Sequence, residues 1–205
     1  MRLRTRWTIA FVVGELLGFV PPALTGAALA ASGATQGMMV AGLVVAGALE
    51  GAVLGAAQAR VLVQALPGLD GRRWILATSL GAAVAWLAGM GGSALVQALG
   101  ARALWLVAPS LVVGLLAMGF LQWRVMRHLV SRSWTWVPVT AGAWLVGVII
   151  PIAALSSVPN GWPLPAHAVV GVLAAVAMGA TVGALTGRTL TRLVEQPRIT
   201  VLTAT

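Results

Sequence analysis

The chain has 205 residues and a formal net charge of +9, and it is 60% apolar but only 8% charged. A soluble domain carries about 25% charged residues, so this chain could not cover its own surface in water. Disorder is excluded for the same reason, and the absence of cysteine excludes disulfides, thiolate metal sites and cysteine nucleophiles. We predict one all-α integral membrane domain over residues 1–205.

All thirteen basic residues are arginine, and with the high Ala and Gly content this is typical of a GC-rich bacterial genome. On a soluble fold such a charge would suggest a nucleic-acid partner. Here the arginines fall between apolar runs, as topology signals do. We therefore predict that the partner is the lipid bilayer and that nucleic acid is not bound.

Six apolar runs are long enough to cross about 30 Å of hydrocarbon, which takes about 20 residues. The first resembles a signal peptide but is too long, so we expect a retained helix that Pro21 and Pro22 kink. The longest connection is predicted over residues 156–166. The six predicted helices cover residues 7–31, 38–66, 74–99, 104–129, 134–155 and 167–190.

Six spans place both termini on one side of the membrane. The loops on that side hold twelve arginines, Arg198 among them, whereas the opposite side holds only Arg102. This asymmetry predicts an N-in, C-in protein of the bacterial cytoplasmic (inner) membrane. Tryptophans should mark both interfaces. Those predicted at the inner one are Trp7, Trp74, Trp123, Trp134 and Trp136, and those at the outer one are Trp105 and Trp162.

The odd-numbered helices open alike, which suggests an internal repeat. Trp7, Trp74 and Trp134 are each followed seven residues later by a small residue, and each even-numbered helix ends in a basic segment. We predict three tandem parallel hairpins, over residues 7–66, 74–129 and 134–190, with a cytoplasmic tail over 191–205. The alternative is that glycine-rich apolar helices align by composition alone.

Glycines at every fourth position form a smooth helix face in two places. Such faces let membrane helices approach closely, so we predict that they pack the bundle internally. The alternative is that one face docks onto another subunit. The predicted packing residues are Gly47, Gly51, Gly55, Gly179, Gly183 and Gly187.

Two carboxyl residues interrupt apolar helices at matching depth. Glu15 and Glu50 are predicted roughly 12 and 15 Å from the inner boundary, at about 1.5 Å per residue. A charge there is costly, so we expect at least one to be protonated at neutral pH. They are candidate proton or cation ligands. The alternative is a structural carboxyl that is bonded to a carbonyl or paired with an arginine.

Other polar residues give weaker signals. The stretch around Ser93 is faintly similar to the Gly-x-Ser-Gly of rhomboid proteases, but its last glycine is missing and His167 is predicted at the membrane edge, so we predict no enzyme. Gln58 and Gln122 are interpreted as helix-end anchors. No metal-ligand spacing or phosphate loop is present, and we predict no cofactor.

The helix ends Gly-Ala-Ala-Gln-Ala-Arg (55–60) and Gly-Phe-Leu-Gln-Trp-Arg (119–124) carry a resemblance, together with Arg-Arg-Trp (72–74). They resemble small, uncharacterised multi-pass membrane proteins of GC-rich bacteria with repeated glycines and Gln-Trp-Arg helix ends. The resemblance implies a fold type and no activity.

The sequence leaves two functional hypotheses. The first is a non-catalytic packing or accessory subunit of a larger membrane complex, whose partners are other subunits or itself. The alternative is a small proton- or cation-coupled carrier or channel that uses Glu15 and Glu50.

Overall fold

The structure, a computed structural model, describes residues 1–159 and 161–195, and within them it is all-helical. The predicted tail beyond residue 195, Arg198 and Asn160 of the longest loop lie outside the described residues. Short 3₁₀ turns, Gly100–Ala103 and Ser133–Thr135, precede two of the helices. The helices are α1 (Leu3–Gly18), α2 (Val20–Ala31), α3 (Gln36–Ala65), α4 (Gly71–Leu99), α5 (Leu104–Met126), α6 (Trp136–Ser156) and α7 (Leu164–Glu195).

The helix boundaries follow local chemistry. The first apolar run breaks at Phe19, because Pro21 and Pro22 lack the backbone donor that a continuous helix needs and are tolerated only in the first turn of α2. Thr35 caps α3 by accepting from the Met38 N–H, and Asp70 caps α4 by accepting from the backbone N–H groups of Arg72 and Arg73.

Six helices close into a ring in the order α1, α3, α4, α5, α6, α7, each in contact with its two neighbours, while α2 packs against α3. Consecutive members run antiparallel. In α4 and α5, for example, Gly81 faces Met118 and Gly92 faces Val107. Glycines at such contacts bring two backbones close together, so the ring is tightly packed.

Five helical segments of the described chain are long and apolar enough to cross a membrane. One of them, Gly71–Met126, has 56 residues and contains both α4 and α5, which fold back on each other at Gly100–Ala103. Many large apolar side chains on the outside of the ring are exposed, such as Leu24, Ile152 and Leu173. A surface of this kind suits a lipid environment.

The charges gather at one end of the ring, where α1, α4 and α6 begin and α3, α5 and α7 end. We call it the arginine end. Among the arginines of the described residues, only Arg102 lies at the opposite end. Those at the arginine end are Arg2, Arg4, Arg6, Arg60, Arg72, Arg73, Arg124, Arg127, Arg132, Arg188 and Arg192.

Candidate functional site: buried polar groups inside the ring

Three tryptophans meet on the axis of the ring near the arginine end. Trp7, Trp74 and Trp136 are fully buried, and their ring centroids lie 5.8 to 6.4 Å apart in edge-to-face contacts. Such contacts add to the stabilisation from burial. Two predictions are therefore wrong. These three side chains fill the core instead of the membrane interface, and Trp136 takes the place expected of Trp134, which is 63% exposed.

Each tryptophan of this cluster donates its indole N–H to a buried side chain on the preceding helix of the ring. Trp74 Nε1 lies 3.0 Å from Gln58 Oε1, and Trp136 Nε1 lies 2.9 Å from Gln122 Oε1. Trp7 closes the ring with a 2.9 Å bond to Thr186 Oγ1 on α7. Aromatic N–H groups need such partners when buried.

The two glutamines are linked to each other as well. Gln122 Nε2 donates to Thr78 Oγ1 at 3.0 Å and approaches Gln58 Oε1 at 3.4 Å, and Thr78 donates to the Trp74 carbonyl at 2.9 Å. Both glutamines are 1% exposed. Their interpretation as helix-end anchors is wrong, because they lie in the interior, where the indole donors require acceptors.

A regular spacing in the sequence could have identified these acceptors. Gln58 and Gln122 lie 64 residues apart, and Thr186 follows at the same interval. The predicted repeat matched Trp134, which is exposed, to Trp7 and Trp74, and that match does not give the 64-residue interval. Other sets with the same interval are Gly55, Gly119 and Gly183; Leu62, Met126 and Leu190; and Arg60, Arg124 and Arg188.

Glu50 lies about two helical turns from Gln58, away from the arginine end. Its Oε2 accepts a 2.7 Å hydrogen bond from Trp86 Nε1 on α4, and the residue is 8% exposed. Gly47 makes room for this partner, since a Cβ at Gly47 would overlap the Trp86 ring. Trp86 was not predicted, because nothing in its local sequence distinguishes it from a lipid-facing tryptophan.

Glu15 lies at the same depth on α1 and is 1% exposed. Among the described residues neither of its carboxyl oxygens has a hydrogen-bond partner, and Gly18, about one turn further along α1, lies against Glu50. Gly179 of α7 packs against it, since a Cβ there would lie 3.3 Å from Glu15 Cγ. A buried carboxyl with no partner is costly and calls for an explanation.

Two further buried polar atoms lack partners, both on α6. They are Thr140 Oγ1 and Trp144 Nε1, one helical turn apart. The Trp144 ring contacts Phe11, which stands one turn before Glu15 on α1, at a centroid distance of 5.8 Å. Trp144 thus stands two turns beyond Trp136 on α6, whereas Thr140 stands one turn beyond it, in the position that Thr78 has relative to Trp74. Neither residue was a sequence candidate.

The two carboxyls are not neutralised by arginine. The ion pair found among the described residues is between Arg73 and Asp70, at 3.2 Å, and it lies outside the ring. The same residues contain no group of three His, Asp or Glu that could hold a metal ion. Carboxyl groups in an apolar interior are side chains whose chemistry suits the uptake and release of a proton.

The six glycines singled out in the sequence lie against neighbouring helices. Besides Gly47, Gly51 faces Thr78 and Ala82, and Gly55 faces Ile75 and Thr78, all on α4. Gly179, Gly183 and Gly187 lie against Val12 and Glu15, Thr8 and Phe11, and Arg4 and Trp7 of α1, respectively. These faces are thus occupied within the chain.

The hydrolase candidates remain apart. Ser93 donates to the carbonyl of Gly89 on its own helix, and the His167 ring approaches only the Pro163 carbonyl, at 3.4 Å. Nothing in these contacts forms a nucleophile–base pair.

The fold and site define an all-helical bundle whose helices are long and apolar enough to cross a membrane and whose interior holds two carboxyls. No protein-family profile, curated protein or solved structure matches the chain.

Proposed function

We propose that the chain is an integral protein of the bacterial cytoplasmic membrane that crosses it six times, with both termini in the cytoplasm. The reversal at Gly100–Ala103 supports two crossings by the segment Gly71–Met126. The arginine end supports the orientation, since arginine-rich loops stay on the cytoplasmic side.

We also propose that the chain consists of three parallel hairpin repeats: α1 and α2 with α3, α4 with α5, and α6 with α7. The 64-residue interval supports this arrangement, as does the way each buried tryptophan bonds to the preceding helix. Composition alone would not align three acceptors with three donors.

Within this frame we propose a small proton-coupled carrier in which Glu15 and Glu50 hold the exchanged proton. The observation that carries the proposal is Glu15, buried with both oxygens unpartnered. Ionisable side chains inside a membrane are costly and mark functional sites by default. A purely structural carboxyl would be expected to bond to a carbonyl or an arginine, and Glu15 does neither.

A proton moving between the two carboxyls would act on the packing of four helices, because Glu15 lies on α1 and Glu50 on α3. Glu50 accepts a hydrogen bond from Trp86 of α4, and Glu15 lies against Gly179 of α7. A change of charge on the two carboxyls would therefore alter both of these helix contacts. The tryptophan cluster closes the axis on the cytoplasmic side. A carrier mechanism, in which helices move, therefore suits this interior better than an open channel.

Proton binding can be tested before any substrate is known. Infrared spectra of the protein in lipid nanodiscs, recorded during a pH titration, should contain the carbonyl band of a buried protonated carboxyl. Glu15→Gln and Glu50→Gln should each remove or shift this band, whereas Gly142→Ala, at an open position on the outside of α6, should not. No such band at any pH, or one that both variants leave unchanged, would refute the proton site.

Transport is the second arm of this test. Proteoliposomes with a trapped pH-sensitive dye should show a proton flux that Glu15→Gln abolishes while the protein remains folded. A flux equal to that of the wild type would exclude Glu15 from the transport path even if it titrates.

A non-transporting accessory subunit is the second candidate. The observation that favours it is the tryptophan cluster, whose three fully buried rings pack against one another on the axis near the arginine end. The mass of the native particle after gentle solubilisation from the host distinguishes the two functions. Other proteins in fixed ratio to this 20.9 kDa chain would favour the subunit, whereas a particle of this chain alone would favour the carrier.

A further inference from the structure

The connection between α5 and α6 forms a groove of about 460 Å³ at the arginine end. Two arginines, a histidine and two tryptophans line it: Arg127, Arg132, His128, Trp123 and Trp134. The Arg127 guanidinium lies 5.9 Å from the Trp123 ring centroid, and its Nε donates to His128 Nε2 at 2.9 Å. These contacts orient the guanidinium without occupying its terminal amino groups.

The matching turn between α3 and α4 lacks these features. There Asp70 caps α4 and pairs with Arg73, so part of the positive charge is neutralised. No Asp or Glu occurs in the sequence between Asp70 and Glu195. The arginines of the groove therefore lie in a segment without acidic residues, which favours an anionic ligand.

Arg132 adopts a backbone conformation that arginine rarely takes. Its φ is 54°, and Gly68, the residue 64 positions earlier, has a φ of 94° at the same place in the preceding turn. Glycine suits a left-handed position, whereas a side chain there is strained. Strain of this kind is typical of functional sites. As a result, the Arg132 side chain lines the groove, whereas the matching position in the preceding turn, Gly68, has no side chain.

The surroundings favour a lipid over a free anion. Trp134 is 63% exposed, and Phe120, also exposed, contacts Trp123 in a tilted arrangement at a centroid distance of 5.6 Å. The groove thus continues into the apolar outer surface of α5, along which an acyl chain could lie. Exposed indoles suit the headgroup level, and guanidinium groups match phosphate oxygens.

We propose that this groove binds the phosphodiester of an anionic phospholipid of the cytoplasmic leaflet, with Arg127 and Arg132 on the phosphate and Trp134 beside the glycerol. The leaflet that faces the arginine end in the proposed orientation supplies such lipids. The site stands apart from Glu15 and Glu50 and would exist whether or not they exchange protons.

The experiment is native mass spectrometry of the detergent-solubilised full chain, titrated with phosphatidylglycerol or with zwitterionic phosphatidylcholine. The wild type should retain phosphatidylglycerol preferentially. Arg132→Gly should weaken that binding about fivefold, and the double variant with Arg127→Gln about 20-fold or more, at about 1 kcal/mol per arginine. Because glycine suits the left-handed position, Arg132→Gly should fold at least as well as the wild type, which thermal unfolding checks.

Arg72→Gln is the matched control, since it removes one charge from the same end outside the groove and should leave phosphatidylglycerol binding within about twofold. Equal binding of the two lipids by the wild type, or no loss in Arg132→Gly and Arg127→Gln, would overturn the site. Inorganic phosphate and glycerophosphoglycerol are then added as soluble competitors of the bound lipid. If inorganic phosphate displaces the lipid at comparable concentration, the ligand is a free phosphate, and if glycerophosphoglycerol does so, it is a soluble phosphodiester; either result makes the lipid assignment wrong.

Discussion

The two halves of the ring interior differ in how well their polar groups are satisfied. Near the arginine end, three indole donors meet three acceptors in equivalent positions on successive helices. About 12 Å further along the axis, at 1.5 Å per residue, the equivalence is lost. Positions that correspond to Glu15 on α4 and α6 hold Ala82 and Trp144, and Glu15 and Trp144 keep unpartnered polar atoms.

This difference separates what holds the bundle together from what it can do. A polar network in which every member is bonded fixes a unique packing, whereas unpartnered groups reduce stability and persist where function requires them. Substitutions near the arginine end should therefore lower stability, and those at the carboxyl pair should change proton binding more than stability.

The largest effect is expected at the tryptophan cluster. Trp136→Ala removes a fully buried ring that contacts both other tryptophans, and it leaves Gln122 without a donor. We expect a loss of about 3 to 5 kcal/mol in the free energy of unfolding. Reversible unfolding in lipid micelles measures it. Trp134→Ala, at the exposed neighbour, is the control and should change stability by less than about 0.5 kcal/mol.

Close helix contacts should give the next largest effect. A Cβ at Gly81 would lie 2.5 Å from Met118 Cα, so Gly81→Ala must separate α4 from α5. We expect a destabilisation of about 1 to 3 kcal/mol. Gly142→Ala meets nothing within 4 Å and should be neutral or stabilising by up to about 1 kcal/mol. Equal effects of the two substitutions on the unfolding free energy would contradict this packing.

The hydrogen bonds of the cluster can be tested without removing a ring. Gln122→Leu leaves the indole N–H of Trp136 and the hydroxyl of Thr78 with one partner fewer, so we expect a loss of about 1 to 2 kcal/mol. Thr186→Val should cost less, because only the Trp7 indole N–H loses its acceptor, and the bond that the Thr186 hydroxyl donates goes to the Val182 carbonyl of its own helix, which is also a backbone acceptor within that helix. The free energies of unfolding of both variants and of the wild type show which substitution destabilises the protein more. A larger loss for Thr186→Val would reverse the ranking.

The smallest effect on stability is expected at the carboxyl pair. Glu15→Gln keeps the shape of the side chain and removes no hydrogen bond, since the carboxyl makes none. We expect a change within about 1 kcal/mol, of either sign. The infrared carboxyl band should nevertheless change. A destabilisation comparable to that of Trp136→Ala would show that Glu15 is a structural residue.

Much of the fold could be predicted because it depends on local chemistry. Apolar length predicted the helices to within a few residues, and Pro21 and Pro22 predicted the interruption that the structure has at Phe19, whereas α4 begins at Gly71, three residues before the predicted start. Each of these properties is a function of neighbouring residues in the chain, and no contact between distant helices is needed to infer it.

The direction in which each side chain faces was decided only by the tertiary structure. Trp134 and Trp136 stand two residues apart with the same chemistry, and only the closure of the ring buries the second and exposes the first. The same closure places Gln58 and Gln122 in the core, where they accept hydrogen bonds from Trp74 and Trp136. It also places the Trp86 indole N–H against Glu50, whereas Glu15 has no such donor among the described residues. Composition and spacing determine which residues enter an apolar environment, whereas the meeting of helices far apart in sequence determines which polar groups find partners there.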